Sequence, residues 1–407
     1  MDTDKPAIPD YMSLFEHYGP VCIDLGPGVM NDLCADFLLS QEKPAAATFV
    51  IGGQSHTKSG ARADLTNMVL RCDFESRIVC DVPAEPDVDD VNRIIQAIRE
   101  SASTDVVAIG GGSVMDAAKA AWAAYQADMD VSELFGSGVL SAKFPGKQFK
   151  RIVAVPTTAG TGSEVTPYSN VVDRAAGVKR LIADEQIVPR MALIDPYYGR
   201  SMPERLTAAT ALDALTHNVE ALLNIHAKET ESASNDWAVS AVRLICAGLP
   251  RALRDPNDVD AREYLCAAAT IGGIQIAHRP TSLPHLGSFS LYGKIAHGTA
   301  AALLLPPFWR YYLAEPAVAE RTMLLADVFP SKKKQKTPAD VVDAAAGFIA
   351  KYSGVAKLSD LPFFDSAMVD KIAADAVLNP MKLASAPRPV DPGSAAEIIS
   401  GILKQEL

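Results

Sequence analysis

The chain has 407 residues, of which 48% are hydrophobic and 21% charged; that length suits two or three domains and that balance excludes a disordered chain. A formal net charge of −11 argues against nucleic acid or an anionic membrane surface as partner. No apolar run is long enough to span a bilayer, the acidic start M-D-T-D-K-P lacks a signal-peptide core, and the six cysteines form no C-x-x-C pair, so a cytoplasmic protein with buried free thiols is expected.

Taken in chain order, Ala46–Gly52 reads as a buried strand, and a helix is expected from Ser59 to Leu70. Arg77–Cys80 reads as a second strand. Asp87–Glu100 is an amphipathic helix with Val88, Val91, Ile94, Ile95 and Ile98 on one face. Asp105–Ile109 is a third strand, followed by glycines and an alanine-rich helix from Ser113 to Ala127. Ile152–Val155 and Met191–Ile194 complete the strands. This alternation predicts a Rossmann-like parallel sheet covered on both faces. From Ser201 onward the pattern is helical, with breaks expected at Pro250, Pro256, Pro280, Pro284, Pro306-Pro307 and Pro316. The expected organisation is an α/β dinucleotide-binding domain over 1–198 and an all-helical domain over 199–407. The basic run Lys332-Lys333-Lys334 reads as a solvated loop.

Two loops carry phosphate-binding character. Gly110-Gly111-Gly112-Ser113 joins a strand to a helix N-terminus, where free backbone N–H groups and the helix dipole favour an anion; the spacing is not G-x-G-x-x-G, and a tight turn is the plainer alternative. The second loop, V-P-T-T-A-G-T-G-S-E-V-T over 155–166, gathers hydroxyls and backbone amides suited to a ribose or a phosphate, or forms a polar turn.

A third feature is chemical. In T-A-L-D-A-L-T-H, Asp213 and His217 stand four residues apart, which places both on one helical face. A buried carboxylate is costly unless paired, hydrogen-bonded or bound to a cation. His285 and His297 are candidates to join them, and one carboxylate with three imidazoles suits iron or zinc. His17, His56, His226 and His278 are read as surface or structural residues.

Four blocks now point to a family: G-G-G-S-V-M-D-A-A-K, P-T-T-A-G-T-G-S-E-V-T, the long D-P-Y-Y-G-R-S-M-P-E-R-L-T-A-A-T-A-L-D-A-L-T-H-N-V-E-A, and A-H-G-T-A-A-A-L-L-L-P. Together with I-D-L-G-P-G at 23–28 they resemble the iron-containing (group III) alcohol dehydrogenases, which have the dehydroquinate synthase-like fold. The resemblance spans roughly residues 20–310. It implies an α/β domain and an all-α domain, with NAD or NADP in the cleft and a divalent metal, Fe2+ or Zn2+, on the helical side. It implies Asp213, His217, His285 and His297 as metal ligands acting in catalysis. It implies cofactor contacts from Gly111, Gly112, Ser113, Asp116, Thr157, Thr158, Thr166, Tyr168 and Lys179, and it suggests a homodimer acting on a small alcohol or aldehyde.

Three departures mark this sequence. The third and fourth ligands are two residues closer than is usual in the family. Phe289 stands where many members carry a further histidine, and H-R-P-T-S-L-P brings two prolines into a segment that is commonly helical. Arg279 and Lys294 flank this rebuilt wall and either hold an acidic substrate group or are solvated. After the first strand, G-G-Q-S-H-T-K-S-G has no acid to hold a ribose 2′-hydroxyl, while Ser55 and Lys58 suit a 2′-phosphate; NADP is slightly favoured. The expected chemistry is hydride transfer between nicotinamide C4 and a metal-bound alcohol or aldehyde. The alternatives are a dehydroquinate synthase-like sugar-phosphate cyclase and a non-catalytic nucleotide-binding sensor.

Overall fold

The computed structural model describes residues 10–31, 46–53, 55–72, 75–174 and 177–407. The chain divides into two compact units. One comprises Asp10–Met202 together with Asp255–Cys266; the other comprises Pro203–Arg254 and Ala267–Leu407.

The first unit contains the strands β1 (Cys22–Leu25), β2 (Ala46–Gly52), β3 (Glu75–Val82), β4 (Asp105–Gly110), β5 (Gly136–Ser137), β6 (Val153–Pro156), β7 (Tyr168–Asp173), β8 (Val178–Ala183) and β9 (Met191–Ile194). Six of them form a wholly parallel sheet in the order β1-β9-β6-β4-β2-β3. The four inner strands β9, β6, β4 and β2 are buried throughout, and their near-continuous apolar sequences follow from burial on both faces; the edge strands β1 and β3 are partly exposed. Alternate residues point to opposite sides. Val50, Val106, Ala108 and Ala154 meet the helices Val88–Glu100 and Gly112–Ala127. Phe49, Ile51, Val107, Ile109 and Val155 meet Ala61, Leu65 and Met68 of the helix Ala61–Cys72. Each fully buried Val or Ile contributes about 1.5–3 kcal/mol. The Val88–Glu100 helix starts where expected because Asp87 and Asp90 form a reciprocal capping box.

Register sets the loops. Val107 pairs with Val153, Ile109 with Val155 and Gly110 with Pro156, so the carboxyl ends of β4 and β6 finish level. The Thr157 N–H donates to the Gly110 carbonyl at 2.9 Å, which seats the hydroxyl-rich loop beside the glycine loop.

Several elements differ from the sequence reading. The helix expected from Ser59 to Leu70 is two helices, Ser55–Ser59 and Ala61–Cys72, split at Gly60, whose φ of +92° lies in the left-handed region. A second sheet, β5-β8-β7, with an antiparallel β7–β8 pairing was not anticipated. Pro250, Pro306 and Pro307 do not break helices: Asn235–Arg254 and His297–Tyr312 run through them. In the second case every residue from Gly298 to Trp309 is buried, and that packing offsets the missing N–H groups. Cys22 is exposed and Cys80 and Cys246 are half-buried, so of the described thiols only Cys266 is fully buried; Cys34 and the Cys72 side chain lie outside the described residues.

The second unit is helical. Its helix Glu204–Leu223 is buried almost all round from Thr207 onward and packs against Asn235–Arg254 and His297–Tyr312. Among the described residues no helix is long and apolar enough to cross a membrane.

Candidate metal centre

Asp213 and His217 share one face of the Glu204–Leu223 helix, as their spacing requires. His285 comes from the helix Leu283–Ser288, and His297 opens the helix His297–Tyr312. Donor atoms of Asp213, His217 and His285 lie within 4.8 Å of one another, and all three residues are buried. His297 joins through Asp213: its Nε2 is 3.8 Å from Asp213 Oδ1, while His285 Nε2 is 3.5 Å from the same oxygen. The His217 and His285 rings stack at 4.5 Å, and those of His285 and His297 meet at 5.5 Å. His297 is the open member, with a side chain 32% exposed.

Neither Asp213 Oδ1 nor His285 Nε2 has a hydrogen-bond partner among the described residues. Two adjacent buried polar atoms left in this state are costly unless a further group satisfies both. A divalent cation between a carboxylate oxygen and imidazole nitrogens does so, and the donor set fits iron or zinc. Burial would push the Asp213 carboxyl up; the imidazoles of His217, His285 and His297 outweigh it and hold it well below the usual carboxylate range.

Glu220 belongs to the site and was not anticipated. It lies on the same helix, seven residues after Asp213, and accepts a hydrogen bond from His285 Nδ1. Its other oxygen accepts from the Ser282 backbone N–H at 2.6 Å and the Ser282 hydroxyl at 3.0 Å. The signal in the sequence is the 213–217–220 spacing, which keeps one helical face. Burial raises the Glu220 carboxyl, and the charge and hydrogen bonding of His285 bring it below its ordinary value. For His285 the order is the same: burial lowers it, and Glu220 followed by Asp213 raises it above the ordinary imidazole value. Ser288 ties the last two histidines together: its hydroxyl donates to the His285 carbonyl at 2.7 Å and lies 3.2 Å from His297 Nδ1. Both Nδ1 atoms are thus engaged, and both Nε2 atoms face Asp213.

Gly298 lets the last histidine come close. A Cβ there would stand 2.2 Å from the Ala209 carbonyl and 2.6 Å from the Asp213 Cβ. Gly298→Ala is therefore expected to destabilise the protein by about 3 kcal/mol, the upper range for overpacking, because the clash is with backbone. Urea unfolding of the two proteins checks this.

Of the other histidines, His56 is buried with Nδ1 3.0 Å from the Gly52 carbonyl, and His226 Nε2 lies 3.1 Å from the Ala386 carbonyl. His17 Nδ1 lies 2.7 Å from the Ser13 carbonyl, and His278 is exposed. Lys294 is exposed, with its ammonium 5.6 Å from the Phe363 ring centre. Arg279 is not solvated: its side chain has no exposure and donates to Asn235 at 2.9 Å. Burial, with help from the Arg321 charge, lowers its guanidinium to about 10.

In the α/β unit, Gly111 caps the Gly112–Ala127 helix without any side-chain hydrogen bond to its first turn. A Cβ on Gly112 would meet the Thr161 side chain at 2.7 Å, and one on Gly111 would meet Thr158 at 3.2 Å, so the glycines bring the two loops together. Thr157 is buried, and its hydroxyl has no partner among the described residues. Asp116, Thr166 and Tyr168 form an internal network with Lys119, which sequence reading missed. The Lys119 ammonium donates to Ser163 Oγ and to the carbonyls of Thr166 and Tyr168, each at 2.9 Å. Asp116 accepts from Ser163 Oγ at 2.7 Å and from the Asn170 N–H at 2.9 Å. Burial raises the Asp116 carboxyl against the pull of Lys119, and burial lowers the Lys119 ammonium to about 8. Ser113 Oγ donates to the Ala84 carbonyl, and Lys179 pairs with Glu85 at 2.6 Å. Ser55 begins a short helix, but its side chain lies outside the described residues; Lys58 is exposed.

Comparison with known proteins accords with this geometry. Residues 23–196 match the model of the family described as iron-containing alcohol dehydrogenase, and residues 207–403 match that described as Fe-containing alcohol dehydrogenase family, C-terminal. The chain is 30% identical to the probable alcohol dehydrogenase EutG of Escherichia coli over 83% of its own length and 82% of that protein's. It is 32% identical to aldehyde-alcohol dehydrogenase 2 of Entamoeba histolytica over 68% of this chain, which spans only 32% of that longer protein. Among solved structures, an iron-containing alcohol dehydrogenase of Thermotoga maritima superposes with a TM-score of 0.76 at 27% identity, covering 96% of this chain and 99% of that one. A 1,3-propanediol oxidoreductase gives 0.82 at 26%, covering 95% and 97%. With both units matched and a centre of one carboxylate and three imidazoles in the helical one, the chain belongs to the iron-containing alcohol dehydrogenase family.

Proposed function

We propose that this chain exchanges a hydride between nicotinamide C4 of NAD or NADP and the carbinol carbon of a small alcohol or its aldehyde. Asp213, His217, His285 and His297 hold one divalent ion, ferrous iron first and zinc second. The observation that carries this reading is the convergence of three imidazoles on a buried carboxylate oxygen that has no hydrogen-bond partner among the described residues. An ion bound there supplies Lewis acidity toward the substrate oxygen.

The protein's own groups prepare the site. Glu220 fixes His285 with its proton on Nδ1, which keeps Nε2 a lone-pair donor toward Asp213. Ser288 does the same for His297. The burial of Asp213, His217 and His285 keeps water from the donor atoms and strengthens their electrostatics. Phe289, stacked on His297 at 6.0 Å, has no exchangeable proton, so protonation of the product oxygen comes from outside this group. Glu220→Gln keeps the shape but removes the charge behind His285. It is expected to weaken metal affinity about 10- to 100-fold, measured by competition with a chromophoric chelator.

In the α/β unit the uncapped start of the Gly112–Ala127 helix supports a pyrophosphate held by Gly111, Gly112 and Ser113. Thr157 and Thr158 offer hydroxyls beside it. Asp116, Thr166, Tyr168 and Lys179 already have partners within the protein; their part in this reading is to hold the two loops in place. The resemblance supports a homodimer in the cytoplasm, and sedimentation of the purified chain tests the first of these.

The testing experiment follows absorbance of reduced cofactor with a series of alkanals, before and after chelation and after readdition of Fe2+. Steady consumption that chelation abolishes and iron restores is expected. Turnover that is indifferent to chelator refutes the reading.

A further inference from the structure

Lys382 lies on the short helix Pro380–Ala384 of the helical unit. Its ammonium donates to Thr281 Oγ1 at 2.5 Å and stands 5.7 Å from the centre of the Phe289 ring. Phe289 stacks on His297, and Thr281 precedes Ser282, which binds Glu220. Lys382 is thus one side chain removed from the candidate metal ligands.

This cation has no acid of its own. Among the described residues no carboxylate lies within ion-pair distance of it. Glu220 is the acid that acts on it through space, yet both Glu220 oxygens are committed, one to His285 and the other to Ser282. Burial lowers the ammonium to about 8, with Glu220 opposing that shift; a cation so placed is stabilised by an anion. One of its three N–H groups is spent on Thr281, whose own hydroxyl proton has no acceptor among the described residues. The charges of the site point the same way. With the proposed divalent ion bound and the imidazoles neutral, two carboxylates, that ion and one ammonium would sum to one positive charge.

We infer that Lys382 and Thr281 hold a monoanionic oxyanion on the substrate, so that the preferred substrate of this site is a small aldehyde or alcohol carrying a carboxylate or sulfonate a few bonds from the reacting carbon. This rests on the hydride-transfer reading above and names the substrate class for it. Lys382 is a specificity residue: it attracts the end of the substrate that does not react.

The test compares matched pairs with the metal-loaded protein and reduced cofactor: butanal against succinic semialdehyde, propanal against malonic semialdehyde, and acetaldehyde against sulfoacetaldehyde. The last arm separates sulfonate from carboxylate. The oxyanion partner of at least one pair is expected to have a kcat/KM about 10- to 100-fold higher, as a charge-assisted hydrogen bond provides. In Lys382→Met that ratio is expected to collapse through KM, and Lys382→Arg is expected to retain much of it. Calorimetric titration with the favoured semialdehyde, without reduced cofactor, is expected to show binding to the natural protein and at least tenfold weaker binding to Lys382→Met. Turnover without oxyanion preference in the natural protein overturns the inference and leaves the dehydrogenase standing; so does a preference that survives Lys382→Met. Binding that depends on Lys382, with no turnover of any aldehyde, supports the oxyanion site and defeats the hydride reading. Should Lys382→Met fail to fold by circular dichroism, the natural protein's own preference and the Arg variant decide.

Discussion

Asp213→Asn is expected to strip the protein of bound metal and to lower kcat/KM by about 1000-fold or more, since several kcal/mol of Lewis-acid stabilisation disappear with the ion. The substitution keeps shape and volume, so the helix and its neighbours need not move. What changes is charge. Asp213 is the carboxylate toward which His285 and His297 both turn Nε2, and a neutral amide is a poor ligand for a dication beside three neutral imidazoles. The fold itself should survive, because replacing a buried carboxylate by a neutral isostere removes its desolvation cost along with its attraction to the imidazoles. Metal analysis after anaerobic purification, with circular dichroism as the control for folding, checks both halves. A variant that keeps its metal and its turnover contradicts the assignment.

Lys119→Met is expected to destabilise the α/β unit by about 3 kcal/mol, the scale for leaving buried acceptors without their donor. The ammonium satisfies a hydroxyl and two carbonyls on the 163–168 segment. It is also the cation opposite Asp116, whose carboxyl burial already pushes up. Methionine fills the volume and leaves those acceptors without a donor. Because this segment continues the hydroxyl-rich loop beside Gly111 and Gly112, cofactor affinity should fall as well. Urea midpoints and calorimetric titration with NAD and NADP separate the two effects. An unchanged midpoint would show that water replaces the ammonium without loss.

The central strands and the helices covering them were legible because a sheet buried on both faces writes long apolar runs. The Asp213–His217 pair was legible because the stretch 210–217 around it is otherwise made of Ala, Leu and Thr. The β7–β8 hairpin was not. Its strands carry exposed or half-exposed Tyr168, Asn170, Val178 and Arg180 on alternate positions, and six polar or charged residues in twelve resemble a loop. Pro306 and Pro307 read as a break because the local rule is strong; burial from Gly298 to Trp309 overrides it. Glu220 was invisible as a partner, since His285 is 65 residues away and only the packed helices bring them together. Arg279 and Lys294 show the same limit: one is fully buried and the other exposed, and their sequence neighbours do not distinguish them. Lys382 lies farther still from the motif blocks, and its place beside Phe289 is a property of the fold.

The most direct test of the account is anomalous diffraction from crystals loaded with iron or zinc. One peak per chain is expected, about 2.0–2.2 Å from a carboxylate oxygen of Asp213 and from one imidazole nitrogen each of His217, His285 and His297. A peak bound by other residues, or one that leaves His285 and His297 out of bonding reach, would contradict it.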